Sequence, residues 1–269
     1  MKNKLTVLTL LPILMLSSCG NGQEIKDEAR IKELKDGITA KAREVENYEL
    51  IVEGNSNSYD EDAQKNSVTK STVTYRANKN NDRYIETKAT VDGQKSDSNI
   101  YLVANEKYQQ VLYIATYNTD TKKDDISVYG YEGNEMTFAF ASFYFLVPST
   151  YYDLFSNPNG FDVSKTAIGS DVAHEYDTEI KYYSKGDGNL TIKVDSKVVG
   201  EISKEENEYP TSATYVINYD NYLFKTAKVN QKSNKGNKSD TEISLNVKDD
   251  FDITLPSGWE DLINLATLD

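Results

Sequence analysis

Apolar residues recur every three to four positions near the amino terminus and every second position through most of the remaining chain. Ile31, Leu34, Ile38, Ala42 and Val45 follow one another at +3, +4, +4 and +3, the spacing of one helical face. They predict a helix over 25–46 whose other side, rich in Lys and Glu, faces water. Gly37 lies inside this stretch and costs a helix about 1 kcal/mol relative to Ala. From Asn47 the period is two: Tyr48, Leu50 and Val52 alternate with Glu49, Ile51 and Glu53. Extended runs rich in Thr, Val, Tyr and Ile follow at 67–76, 83–91, 98–104, 108–118 and 125–131. More come at 174–183, 189–195, 197–203, 211–219, 222–232 and 241–247. Asn, Asp, Gly and Lys clusters separate them, as in an antiparallel meander. Asp92-Gly93 reads as a two-residue hairpin turn, and Gly186-Asp187-Gly188 and Asp220-Asn221 as further hairpin tips. The Asn- and Lys-rich tips at 78–82 and 232–238 read as mobile turns. A strand-like 251–255 then leads through Pro256 to Ser257-Gly-Trp-Glu260, a capping box for a terminal helix carrying Trp259, Leu262, Ile263 and Ala266.

The first residues break both periods. Lys2 and Lys4 precede an apolar run over 5–16, interrupted by Pro12. Its twelve residues fall short of the roughly 20 needed to cross a bilayer and suit a secretory signal. Leu16-Ser17-Ser18-Cys19 then resembles the lipobox of bacterial lipoproteins. That resemblance implies a diacylglycerol on the Cys19 thiol, cleavage just before it, acyl chains of the palmitate kind, and a place on the extracytoplasmic face of the cell membrane. Residues 19–24 would form a lipidated tether and 25–269 a single domain. No Pro/Gly/Ser-rich linker divides the chain after Gln23, and no repeat of 20 to 50 residues stands out.

Charge narrows the partners. The full chain carries −13 with a mean hydropathy of −0.63. Losing the first 18 of 269 residues, and with them Lys2 and Lys4, leaves 251 residues and −15. An acidic body is repelled by anionic headgroups, so membrane attachment falls to the lipid, and two acyl chains hold far better than one. The same balance argues against nucleic acid. Cys19 is the one cysteine, so no internal disulfide, CxxC site or other thiol nucleophile exists.

Catalytic patterns do not appear. His174 is the one histidine, and the partners that a Ser-His or zinc site needs are not visible around it. Nucleotide-binding glycine loops are absent. Acidic clusters at Asp60-Glu61-Asp62, Asp124-Asp125 and Asp249-Asp250 do not have calcium-loop spacing and read as solvated tips. No enzyme, metal or cofactor is expected.

One segment contradicts so hydrophilic a composition. Residues 135–155 hold five of the eight phenylalanines together with Tyr144, Tyr151 and Tyr152. Buried, eight such rings hide on the order of 1,200 Å², a gross stabilisation of roughly 30 kcal/mol as an upper bound. Pro148 divides the segment, predicting a central insertion of two short helices, the first apolar on nearly all sides. The order of a leading amphipathic helix, a run of strands, a helical insertion, more strands and a late proline-ended strand is similar to that of the LolA/LppX-like lipoprotein carriers. The resemblance implies a mainly β (α+β) fold: one large curved antiparallel sheet or incomplete β-barrel with an N-terminal helix, a central helical insertion and a C-terminal helix. It also implies an apolar cavity that binds lipid or acyl chains. Phe138, Phe140, Phe143, Tyr144, Leu146, Tyr151, Tyr152 and Phe155 are the expected ligand-binding residues. The lid-holding arginine of LolA has no assignable counterpart among Arg30, Arg43, Arg76 and Arg83. The alternative is a non-enzymatic module that contacts another envelope protein, with the aromatic helices serving only as core.

Overall fold

The structure, a computed structural model, describes residues 22–60, 64–80, 82–106, 108–131, 175–202, 208–265 and 267–268. Its elements in chain order are β1 (Gln23–Ile25), α1 (Glu28–Ala42), β2 (Tyr48–Asp60), β3 (Lys65–Ala77), β4 (Arg83–Val91), β5 (Gln94–Asn105) and β6 (Gln109–Asn118). They continue with β7 (Lys123–Tyr131), β8 (Tyr176–Ser184), β9 (Leu190–Val198), β10 (Pro210–Asp220), β11 (Leu223–Ser233) and β12 (Lys238–Val247). A 3-10 helix (Glu260–Leu265) and β13 (Thr267–Leu268) close the described chain.

All thirteen strands join one open, curved sheet in the order β1-β8-β9-β10-β11-β12-β2-β3-β4-β5-β6-β7-β13. Two antiparallel meanders, β2 to β7 and β8 to β12, meet where β12 pairs with β2. The β13–β7 contact is the parallel one. Residues 132–174 link β7 to β8, each the second strand from an opposite end of this order. The expected central helices, and with them His174, lie outside the described residues.

Helix α1 is shorter than its periodicity predicts. Asp27 caps it, its side chain accepting from the Ala29 amide, and Leu34, Ile38 and Ala42 form its buried stripe. Fifteen residues span about 22 Å, the width of four to five strands, and α1 runs across the strands. Arg30 at its start pairs with Asp187 in the β8–β9 turn, and its far end feeds β2. At Gly37 it closely approaches the β10–β11 turn: a Cβ there would sit 2.6 Å from the Tyr222 ring. The glycine that weakens the helix is thus what lets it dock. Tyr222 itself holds a left-handed backbone, φ +61, beside Asn221 at φ +50. Both central residues of a two-residue hairpin turn of this twist need positive φ, so the β10–β11 turn falls at Asn221-Tyr222, one residue later than predicted. Its strain is compensated by packing, since the same ring lies 3.0 Å from where a Cβ on Gly188 would be and the Tyr222 amide donates to the Gly188 carbonyl at 2.8 Å. Asp92-Gly93 turns as predicted, with φ +50 and +86.

Several expected elements differ. Of the run expected at 197–203, the described residues 197–202 do not form a strand of their own: β9 continues to Val198, and Gly200 follows with φ +96. Residues 251–255 form no strand, with Phe251 and Ile253 buried. The terminal helix is replaced by six residues of 3-10 helix. Gly258 at φ +87 precedes it, and Glu260 accepts from the Gly258 amide. With three residues per turn, Trp259 and Leu262 line up on one side, joined by a Leu262 N–H to Trp259 carbonyl bond of 3.0 Å. The 78–82 tip is not a loose turn. Asn78 is buried, its Oδ1 accepts from the amides of Asn80 and Asp82, and its Nδ2 donates to Asp82 and to the Phe251 carbonyl.

Candidate functional site

Strand alternation divides the sheet into an inner face, beneath α1, and an outer face. Inner-face residues form cross-strand rows that change character along the strand axis. One row reads Leu245, Leu50, Tyr75, Ile85, Ile100, Ile114 from β12 to β6. Toward the other end of the strands, the row through Gly54, Ser71, Ala89 and Ser96 is small and largely polar, as is the one through Ser239, Ser56 and Thr69. On the β8–β11 side the apolar character persists one row further, through Ile180, Val194, Tyr215 and Val229. The apolar half is the half nearest α1 and the turns at 78–82, 185–189 and 221–222. It contains the largest buried cluster, in which Leu34, Ile38, Leu190, Ile217, Ala227 and Ile243 have no exposure.

Several polar groups on this face are hydrogen-bonded. Tyr176 donates to the Pro210 carbonyl at 2.9 Å, and Thr178 and Ser196 share a 2.7 Å bond. Lys35 donates to the Tyr182 hydroxyl at 3.2 Å. Burial raises the Tyr219 phenol above its ordinary value, which keeps it neutral against Phe224 at a ring distance of 5.9 Å. The surface can therefore shelter an apolar group.

The outer face carries a second, smaller core. Tyr108, Val111, Tyr113 and Val128 pack beneath Tyr101, Val103, Leu255, Trp259, Leu262 and Ile263. A single cross-strand row, Asn246, Glu49, Arg76, Tyr84, Tyr101, Tyr113, runs into it from β12 to β6. Arg76 binds Glu49 at 2.6 Å and lies 5.4 Å over the Tyr84 ring. The Tyr84 ring lies tilted against Tyr101 at 4.7 Å, and Trp259 meets Tyr101 edge-on at 5.5 Å. Burial of Glu49 favours its neutral form. Hydrogen bonds from Arg76 and Asn246, with the charges of Arg76 and Lys248, outweigh burial and hold the carboxyl below the ordinary range. Burial first, and the fields of Tyr101 and Glu86 after it, raise the Tyr84 phenol.

The eight aromatic and aliphatic residues expected to bind ligand, Phe138 to Phe155, lie outside the described residues, as does Cys19. What the structure supplies instead is the apolar inner wall, which the sequence reading did not name as a surface. Its signal was present: strands β2 to β5 carry Leu, Val, Tyr and Ile on inward positions at one end and Ser, Thr and Gly on the same positions at the other. Three open clefts among the described residues, of about 280, 490 and 330 Å³, are lined chiefly by Ser, Asn, Lys, Asp and Glu and lie toward strand ends or the outer face. Asp124 and Asp125 are exposed, Asp125 accepting from Asn118 at 2.8 Å. No group of three metal-ligating side chains converges among the described residues, and no helix among them is long and apolar enough to cross a membrane.

Neither the family models nor the curated proteins contain a match to this chain. Among solved structures it is similar to a domain from Vibrio parahaemolyticus described as an outer membrane lipoprotein-sorting protein. The likeness covers 82% of this chain and 94% of that one, at 9% identity and a TM-score of 0.25. At that score it carries no argument about fold or function.

Proposed function

We propose that this protein is a lipid-anchored envelope protein that holds an apolar ligand, a lipid or an acyl chain, against the inner face of its sheet. The observation that carries the reading is the apolar half of that face, continuous from β8 to β6. The aromatic segment 135–155 is tied by chain connectivity to both flanks of this face, β7 and β8. Phe138, Phe140, Phe143, Tyr144, Leu146, Tyr151, Tyr152 and Phe155 would supply the opposing wall. Binding is by burial, worth about 25 cal/mol per Å² of apolar surface removed from water, and involves no covalent chemistry. Cys19 would carry the anchor.

The test is organic extraction and mass spectrometry of a 20–269 fragment purified without detergent. A defined lipid in stoichiometric amount is the expected result. Phe143→Asp with Tyr152→Asp should then abolish uptake of a fluorescent fatty acid while the far-ultraviolet spectrum stays that of a folded β protein. A clean extract, from a fragment that also ignores added lipid, would overturn the reading. The aromatic segment would then be plain core, and the protein a module for another envelope protein.

A further inference from the structure

We infer that the end of the sheet bearing the 185–189 and 221–222 turns faces the lipid surface, held there by a leash of only two residues. The inference rests on the acyl anchor at Cys19 proposed above and adds an orientation to it.

The sequence alone suggests a loose tether through residue 24. The structure shortens it. β1 pairs with the end of β8, Gln23 opposite Ser184 and Ile25 opposite Tyr182, and Ile25 packs against the inner core. Gly22 is already in place: it holds φ +84, and a Cβ on it would lie 2.3 Å from the Ser184 carbonyl oxygen. A few residues on, Arg30 binds Asp187 at 2.5 Å and Glu33 at 2.7 Å, so α1 and the β8–β9 turn close the same corner. Between Cys19 and Gly22 stand Gly20 and Asn21 alone. Three Cα steps reach at most about 11 Å. The thirteen residues of β2 extend about 40 Å, so the opposite end, with the Asp92-Gly93 and 119–122 turns, cannot reach the surface while the strands stand away from it. An acidic body has no electrostatic reason to lie flat on anionic lipid. The lipid-proximal end is also the end where the inner face is apolar and where α1 crosses it, so a lipid passing between bilayer and protein would meet the apolar rows before the Ser- and Thr-lined ones.

Because Cys19 is the one native cysteine and would be acylated, an introduced cysteine takes a dye cleanly. Full-length lipoprotein carrying Lys185→Cys or Thr121→Cys is reconstituted into phosphatidylglycerol/phosphatidylcholine vesicles containing a headgroup-labelled acceptor, and energy transfer is compared. Transfer from position 185 should exceed that from 121 several-fold. A Gly/Ser insert of about twelve residues between Gly20 and Asn21 adds about 20 Å of root-mean-square span and should erase most of the difference. Equal transfer from the two positions, or a difference unmoved by the insert, would overturn the orientation while leaving the anchor standing. An amino-terminal peptide without a diacylglycerol mass would overturn the anchor and the orientation together.

Discussion

The two apolar clusters of this sheet show how differently the same strands can be covered. On the inner face, α1 is a regular helix whose stripe of Leu34, Ile38 and Ala42 is buried, and the cluster it joins draws on β2 to β6 and β9 to β12. On the outer face, Leu255, Trp259, Leu262 and Ile263, carried on an irregular strap and a short 3-10 helix, cover β5 to β7. β6 lies between them and is buried on both sides, with Leu112 facing inward and Val111 and Tyr113 outward. A helix meets a sheet along a stripe and needs one close approach, here Gly37 on Tyr222. A strap meets it residue by residue and can rest on large rings. The inner contact should therefore respond to small changes in volume, the outer one to loss of a ring.

The largest expected effect is at the inner contact. Ile38→Ala should cost about 2–5 kcal/mol, read as a lower urea midpoint with unchanged slope, because nothing can collapse into the space between helix and sheet. Trp259→Ala should cost less, about 1–3 kcal/mol, since the ring is half-exposed and the strap can settle. It should also leave fatty-acid uptake unchanged, being on the opposite face. A loss of uptake in that variant would couple the two faces and break the comparison. Gly37→Ala sets a helix gain of about 1 kcal/mol against overpacking of about 1–3 kcal/mol. The overpacking should win, for a net loss of about 1 kcal/mol in thermal or urea unfolding. A stabilised variant would mean that the Tyr222 ring yields and that the helix docks loosely.

The smallest effect concerns Glu49. Its carboxyl is held below the ordinary range in the folded chain, so it adds stability at pH above its unfolded value. That stability is lost as pH falls through the lowered folded value. Glu49→Gln should cost no more than about 1 kcal/mol near neutrality and flatten the acid limb below about pH 4. An unchanged acid limb would show that the Arg76 and Asn246 bonds do not persist in solution.

The sequence by itself determined the class of fold. Period-two runs from Tyr48 to Val247 placed nearly every strand, and Asp92-Gly93 marked its turn, because alternation and left-handed turn chemistry are local properties of a few residues. The helical stripe of α1 was legible for the same reason. What the sequence misjudged depends on contacts between distant residues. Gly37 read as a weakness until Tyr222, far along the chain, came to rest on it. Asn78 read as a mobile tip until Phe251 offered a carbonyl to its amide. The capping box at Ser257 read as a helix start, but the apolar rings of β5 and β6 made a better resting place for Trp259 as a strap. Nor could periodicity say that β12 would pair with β2, which sets the inner rows end to end and gathers their apolar halves on one side. Pairing across some 190 residues is chosen by the burial of whole faces, an energy that exists only once the sheet has closed on its helix.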